Sequence, residues 1–161
     1  MMTLKIGDKE YIFEFTFEAS EKTELVQKMF NIMSGSYIIR NVKEDEEGDV
    51  LSVKDAMISG VSEMVADIPT ICKIAFHAGL LENNPVSEEE AKRLMKQYMK
   101  ENKVSFKKLY EDFKKCMEDD GFFDLSGITE MIQEMEVEEK KEEETEKKVP
   151  QDHKKKQTST K

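Results

Sequence analysis

The most apolar stretch of the chain runs from Asp67 to Leu81. Projected on a helix, its polar side chains after the start form one narrow stripe of Thr70, Lys73 and His77. A helix that is apolar over most of its circumference is enclosed by protein. Asp67 is a suitable N-cap, Pro69 falls in the first turn, and Gly79 suits a left-handed C-cap. The pattern therefore predicts a central helix over residues 67–81, around which the other elements pack.

An alternation of apolar and polar residues, interrupted at Ile12, marks the start of the chain. Residues 4–6 and 9–17 read as two strands, and Gly7-Asp8 between them suits a two-residue hairpin turn. One face of the second strand is entirely aromatic: Tyr11, Phe13, Phe15 and Phe17. Because a two-stranded hairpin is marginally stable alone, this face is expected to cover helices or a second copy of the protein.

Helical periodicity predicts amphipathic helices on both sides of the central one. Four of them have serine caps, at Ser20, Ser52, Ser87 and Ser105. Ser87 forms a capping box with Glu90, and a last short helix covers residues 128–135. Residues 37–39 fit either a short strand or a helical extension. The helix from Ser52 is expected to bend into the central helix at Asp67–Pro69, and its apolar face comprises Val53, Ala56, Met57, Gly60, Val61, Met64 and Val65.

These elements predict a mostly α protein of the α+β class, with an N-terminal hairpin packed on a bundle of five to six helices. Residues 1–135 form this body. Residues 136–161 hold no aromatic residue and little else that is apolar, so burial cannot offset the entropy of ordering them. We expect them to be a disordered, charged tail whose first part extends the last helix.

The charge is concentrated in the body. The tail holds eight acidic residues and eight lysines, so the net charge of −10 lies on residues 1–135, with 27 acidic and 17 basic residues. An acidic body repels phosphate backbones, and nucleic acid is not an expected partner. The first ten residues contain Lys5, Asp8, Lys9 and Glu10, so we expect no signal peptide, and no apolar run reaches the roughly 20 residues of a membrane span. We expect a cytoplasmic protein that has no membrane contact.

Catalytic and metal-binding patterns are absent from the sequence. The chain has no phosphate-binding glycine loop, no HExxH and no CxxC, and its carboxylates occur in runs typical of solvated faces. The acidic run near Gly48 fails the calcium-loop pattern, because lysines fall at the first and twelfth positions. His77 reads as a surface or interface histidine, and Cys72 and Cys116 as reduced core thiols. We therefore expect no enzyme, no cofactor and no metal site.

The remaining signals concern contacts with other proteins. Most of the 11 methionines fall on predicted helix faces, where methionine fills irregular cores or lines adaptable surfaces. The apolar cluster after Gly121, together with the last helix, is the surface expected to bind a partner: Phe122, Phe123, Leu125, Met131 and Met135. The aromatic hairpin face, with Tyr11, Phe13 and Phe15, is the next candidate.

Several of these segments resemble, in the same order, the tail assembly chaperones of long-tailed phages and prophages of Gram-positive bacteria. The resemblance covers about residues 3–20 and 64–125. It rests on the opening Leu4–Phe17, the Asp67-Ile68 helix start, Ala75–Leu80, Asn84-Pro85, Ser87–Glu90, Leu109–Phe113 and Gly121–Phe123. Residues 34–49 match nothing in the family.

The resemblance implies a non-structural factor of the host cytoplasm that is not expected in the mature virion. Such chaperones coat the tape measure protein, keep it soluble and help recruit tail tube subunits, and many also have a form extended by ribosomal frameshifting. The resemblance does not determine whether this chain also forms a homo-oligomer. The alternative function is a small acidic regulatory or inhibitory protein that occupies a basic surface by charge mimicry, which salt would weaken steeply.

Overall fold

A computed structural model describes residues 1–39 and 53–146. The mostly helical fold with an N-terminal hairpin is confirmed. Two strands are followed by eight helices within the described ranges, in the order β1 Met2–Ile6, β2 Lys9–Phe13, α1 Phe17–Ser20, α2 Thr23–Met33, α3 Ser36–Ile39, α4 Val53–Leu80, α5 Glu88–Asn102, α6 Phe106–Asp119, α7 Phe122–Leu125 and α8 Ile128–Glu146. The predicted Ser52 cap, the acidic loop near Gly48 and the chain after Glu146 lie outside the described residues.

The hairpin has the predicted turn but a shorter second strand. Ile6 pairs with Lys9 across Gly7-Asp8, and Gly7 adopts the positive φ of 59° that this turn requires. β2 ends at Phe13, and the next amide, Glu14 N–H, donates to the carbonyl of Gly79 at 2.9 Å. The predicted burial of Phe17 is wrong. The chain has already left the sheet there, and Phe17 begins α1 with 61% of its surface exposed.

The central element is one continuous helix of 28 residues, α4, instead of two helices joined by a bend. Asp67 does not cap it, since its carboxylate accepts hydrogen bonds from Lys28 Nζ at 3.1 Å and from Tyr37 Oη at 2.5 Å. Pro69 lies inside the helix, where it removes one backbone hydrogen bond at a cost of about 3 kcal/mol. Packing of α2, α3, α5, α6 and β2 along α4 offsets that cost.

Gly79 is a helical residue of α4 and not a left-handed cap. A Cβ atom at this position would lie 2.9 Å from Phe13 Cδ1 and 3.1 Å from Phe15 Cζ. Glycine is therefore favoured at this position, because two aromatic rings of the hairpin segment approach the helix backbone closely.

The core is centred on five phenylalanines, each at most 1% exposed: Phe13, Phe15, Phe76, Phe113 and Phe122. Their ring centroids are 4.8–6.1 Å apart in five contacts, most of them edge-to-face. Such contacts add about 0.5–1.5 kcal/mol each to the energy of burial. The rings join the hairpin segment to α4, α6 and α7.

Of the three predicted serine caps within the described residues, two are confirmed and one is wrong. Ser87 Oγ accepts from Glu90 N–H, and Ser105 Oγ accepts from Lys108 N–H, both at 3.2 Å. Ser20 is instead the last residue of α1 and its hydroxyl donates to the carbonyl of Phe17, while α2 begins at Thr23. Residues 37–39, which the pattern left ambiguous, belong to α3.

The last helix continues past the predicted end of the body. α8 runs to Glu146, so the first part of the predicted tail is helical. Residues 147–161, where disorder is predicted, are not described by the structure. Among the described helices, none combines the length and apolar character needed to cross a lipid bilayer.

Candidate protein-interaction surfaces

Four of the predicted partner-binding residues lie in the core and not on the surface. Phe13, Phe15 and Phe122 are fully buried, and Phe123 is 7% exposed. α7, which carries Phe122 and Phe123, packs against α1, α6 and α8. A partner cannot contact these rings in this conformation. The run of apolar residues after Gly121 closes the core because Gly121, with its φ of 72°, turns the chain back onto the body.

The other four predicted residues remain at least partly accessible. Leu125 is 52% exposed and Met131 is 39% exposed, whereas Met135 and Tyr11 are half-buried. Near the first two, a shallow pocket of about 190 Å³ is lined by Met33, Phe123 and Thr129 together with acidic side chains. Leu125 and Met131 do not line this pocket. Of the predicted surface on α7 and α8, Leu125 and Met131 thus remain exposed and Met135 remains half-buried.

A larger exposed apolar surface lies on the first half of α4. We call it the α4 stripe, and it consists of four side chains that are 44–58% exposed: Met57, Ile58, Val61 and Val65. Three of them, Met57, Val61 and Val65, belong to the apolar face that the sequence predicts for this helix. The structure divides that predicted face, since Ala56 and Gly60 are buried whereas the α4 stripe is not.

The α4 stripe continues a face that is covered farther along the same helix. Steps of three and four residues lead from Val65 through Ile68 to Cys72 and Ala75, which stay on one side of a helix. Cys72 and Ala75 are fully buried, and Ile68 packs partly against the core. The second half of this face therefore lies within the body, whereas the first half is uncovered by the described residues.

Contacts on the other side of α4 explain why this half is exposed. A Cβ atom on Gly60 would lie 2.6 Å from the carbonyl oxygen of Tyr37 and 2.8 Å from Ile38 Cα, so glycine lets the α3 backbone pack directly on α4. The Tyr37 hydroxyl and Lys28 both donate to Asp67. Together these contacts place α2 and α3 on one flank and leave the α4 stripe facing away from them.

His77 makes a structural contact between α4 and the start of α5. Its Nε2 is 3.0 Å from the carbonyl oxygen of Val86, and its Nδ1 is 3.8 Å from Glu88 Oε1. The ring borders a cleft of about 370 Å³ that is lined by charges of both signs, including Lys73, Glu89 and Lys92. In the described residues this histidine has no nucleophilic side chain as a hydrogen-bond partner.

Both cysteines have the character of core thiols. Burial raises the pKa of Cys72 to about 12. Burial, together with the hydrogen bond to Asp120, raises the pKa of Cys116 to about 11. Because the thiolate is the reactive species, neither side chain is a nucleophile near neutral pH.

The described residues bring together no group of three or more His, Cys, Asp or Glu side chains that is able to hold a metal ion. The feature of this part of the chain best suited to binding is therefore the α4 stripe, an apolar surface on an acidic body. Comparison of the chain with protein family models, with curated proteins and with solved structures finds no match.

Proposed function

We propose that this protein is a non-enzymatic tail assembly chaperone that binds a phage tape measure protein and helps recruit tail tube subunits. The proposal begins from the ordered resemblance of residues 3–20 and 64–125 to that family. The matching segments fall on the hairpin, on the second half of α4, and on α5, α6 and α7, which pack around one core. The resemblance thus concerns one connected body and not scattered surface segments.

The observation that carries the proposal is the α4 stripe on a strongly charged protein. A long helical client exposes apolar surface before it is assembled, and a holdase must cover that surface while keeping the complex soluble. The four half-exposed aliphatic side chains of the stripe offer the apolar contact. The excess of acidic residues in the body supplies the charge that opposes aggregation.

The direct experiment is co-expression with the tape measure protein encoded by the same genome. We expect the soluble fraction of the tape measure protein to rise severalfold when this protein is present. An unrelated acidic protein of similar size is the control, because it supplies charge without the apolar surface. An equal effect of both proteins would contradict the proposal.

Substitutions of Phe122 are unsuitable for this experiment, since the ring is buried and its loss would destabilise the body by about 3–5 kcal/mol. Leu125→Ser combined with Met131→Ser tests the exposed remainder of the predicted surface, because both side chains are accessible.

Charge mimicry, the alternative function, is distinguished from apolar capture by measuring partner binding at increasing salt concentration. Raising ionic strength would release a partner held by charge, whereas apolar capture persists.

The resemblance also implies a longer form of the protein made by ribosomal frameshifting, which is a prediction about the codons of the mRNA. Lys154–Lys156 is encoded by a run of adenines if all three codons are AAA, and such runs promote ribosomal slippage. The simpler interpretation is that these lysines only keep the segment solvated. Replacing the run by synonymous AAG codons should remove any larger product that shares this N-terminus, and absence of a larger product from phage-producing cells would leave the simpler interpretation.

A further inference from the structure

We propose that the α4 stripe docks one amphipathic helix of the client, a helix that is apolar along one face and basic along its edges. This inference rests on the proposed chaperone function and deepens it by assigning the binding surface. It replaces the α7–α8 surface expected from the sequence.

The spacing of the α4 stripe fits the packing of one helix on another. Met57, Val61 and Val65 are four residues apart, and Ile58 widens the row on one side. Rows at this spacing form the ridges that fit into the grooves of a neighbouring helix. At 1.5 Å per residue the row from 57 to 65 is about 12 Å long, enough to contact two to three turns of a partner helix.

The size of the α4 stripe disfavours a second copy of this chain as its occupant. Four side chains that are about half exposed offer only a few hundred Å² of apolar surface, whereas a stable dimer buries about 800 Å² on each partner. Two copies would also bring together two bodies that each have ten more acidic than basic residues. Their mutual repulsion opposes pairing through so small a surface.

Charge selects the kind of helix that binds. At the N-terminal end of the α4 stripe Lys54 and Asp55 are both exposed and their charges cancel, so the sign of the attraction comes from the body as a whole, which has ten more acidic than basic residues. Lysine or arginine residues along the edges of a client helix are therefore attracted, and acidic residues are repelled. An apolar face supplies the contact energy, while basic edges supply selectivity and a faster encounter.

The test uses the full chain and three synthetic peptides, so it does not depend on the identity of the natural client. Each fluorescent peptide has about 18 residues, long enough to form a helix. The first has leucines on one helical face and lysines at the edges, the second has glutamates in place of the lysines, and the third has the first composition in scrambled order. Fluorescence anisotropy should show the lysine peptide binding at least about tenfold more tightly than either of the others.

Two variants locate the site. Val61→Asp and Met57→Ser should each weaken binding of the lysine peptide by about tenfold or more, because the first places a charge and the second a polar group on the apolar surface. Leu125→Ser is the matched control, since Leu125 is similarly exposed but lies on α7, and it should bind as the unaltered protein does. Thermal melts check that every variant is folded. If Val61→Asp does not fold, Met57→Ser still tests the site.

Unchanged binding by the folded α4 variants would overturn the inference. So would sedimentation showing a dimer that Val61→Asp dissociates, since the second copy would then be the occupant. If the peptides bind as expected but the tape measure protein is not solubilised, the α4 stripe is supported as a helix-binding surface and the proposed chaperone function is contradicted. If the α4 variants solubilise the tape measure protein as well as the unaltered protein does, the chaperone function is supported and the assignment of its binding surface to the α4 stripe is contradicted.

Discussion

Replacing Gly79 by alanine tests how closely the hairpin segment packs on α4. In an exposed helix this change stabilises a protein by about 1 kcal/mol, because alanine loses less backbone entropy on folding. Gly79 is in a helix, but the added methyl group would lie 2.9 Å from Phe13 Cδ1 and 3.1 Å from Phe15 Cζ. We therefore expect Gly79→Ala to lower the free energy of unfolding instead of raising it.

The distances set the magnitude. Carbon atoms pack best at about 3.5–4.0 Å, so the Phe13 ring would have to move by about 0.6 Å or more. That ring already contacts Phe76 and Phe113, with centroids 4.8 Å and 5.7 Å away, and all three are at most 1% exposed. Overpacking costs about 1–3 kcal/mol. After subtraction of the helix-propensity gain, the net loss is about 1 kcal/mol.

Denaturant unfolding followed by circular dichroism measures the difference. Ala66→Gly, at an exposed position of the same helix, calibrates the propensity term and should cost about 1 kcal/mol. A double-mutant cycle with Phe13→Leu isolates the contact, since the smaller side chain gives the methyl group room. Gly79→Ala should then be less destabilising in the Phe13→Leu background than in the unaltered chain.

A stabilisation of about 1 kcal/mol by Gly79→Ala alone would refute the reasoning. It would mean that the aromatic rings do not approach the α4 backbone closely. An additive cycle would refute it equally, because two residues that share no contact do not couple.

Three further predictions concern burial and charge. Ile71→Asp should lower the free energy of unfolding by about 3–5 kcal/mol, because it buries an unpaired charge, whereas Ile58→Asp on the exposed half of the same helix should change it by less than about 1 kcal/mol; urea denaturation compares them. Neither cysteine should react with a thiol reagent at pH 8 in the folded protein, and both should react in denaturant, because the pKa values of Cys72 and Cys116 are raised to about 12 and about 11. At Asp120, burial would raise the pKa of the carboxyl group, but hydrogen bonds from the Met1 amine, from Phe15 N–H at 2.9 Å and from Cys116 lower it below its usual value. A lowered pKa stabilises the folded state above the pKa of the unfolded chain, and this stability is lost as pH falls through the folded-state value. Asp120→Asn should thus lower stability at neutral pH and flatten its acid dependence, and an acid limb as steep as that of the unaltered protein would contradict the prediction.

Local chemistry made part of this fold predictable from the sequence. The turn at Gly7-Asp8 and the caps at Ser87 and Ser105 each depend on a few neighbouring residues, so the chain specifies them without reference to distant elements. The burial of Ile71 follows from a helix segment that is apolar on most sides.

Local chemistry was insufficient where packing overrides a preference. Pro69 indicates a helix start when only its neighbours are considered, yet α4 continues through it because helices and β2 pack along its length. Gly79 similarly resembles a cap, and only the approach of Phe13 and Phe15 reveals why glycine is there. In both cases the deciding contacts come from residues distant in sequence.

The candidate site shows most clearly which features depend on the sequence pattern alone and which depend on tertiary packing. The sequence determined that the first half of α4 has an apolar face, because periodicity depends only on residue spacing. It did not determine that Val61 and Val65 are uncovered while Phe122 is buried, since coverage depends on where the other elements pack. Periodicity gives the direction in which a side chain points along its own helix, and only the tertiary structure decides whether another part of the chain meets it there.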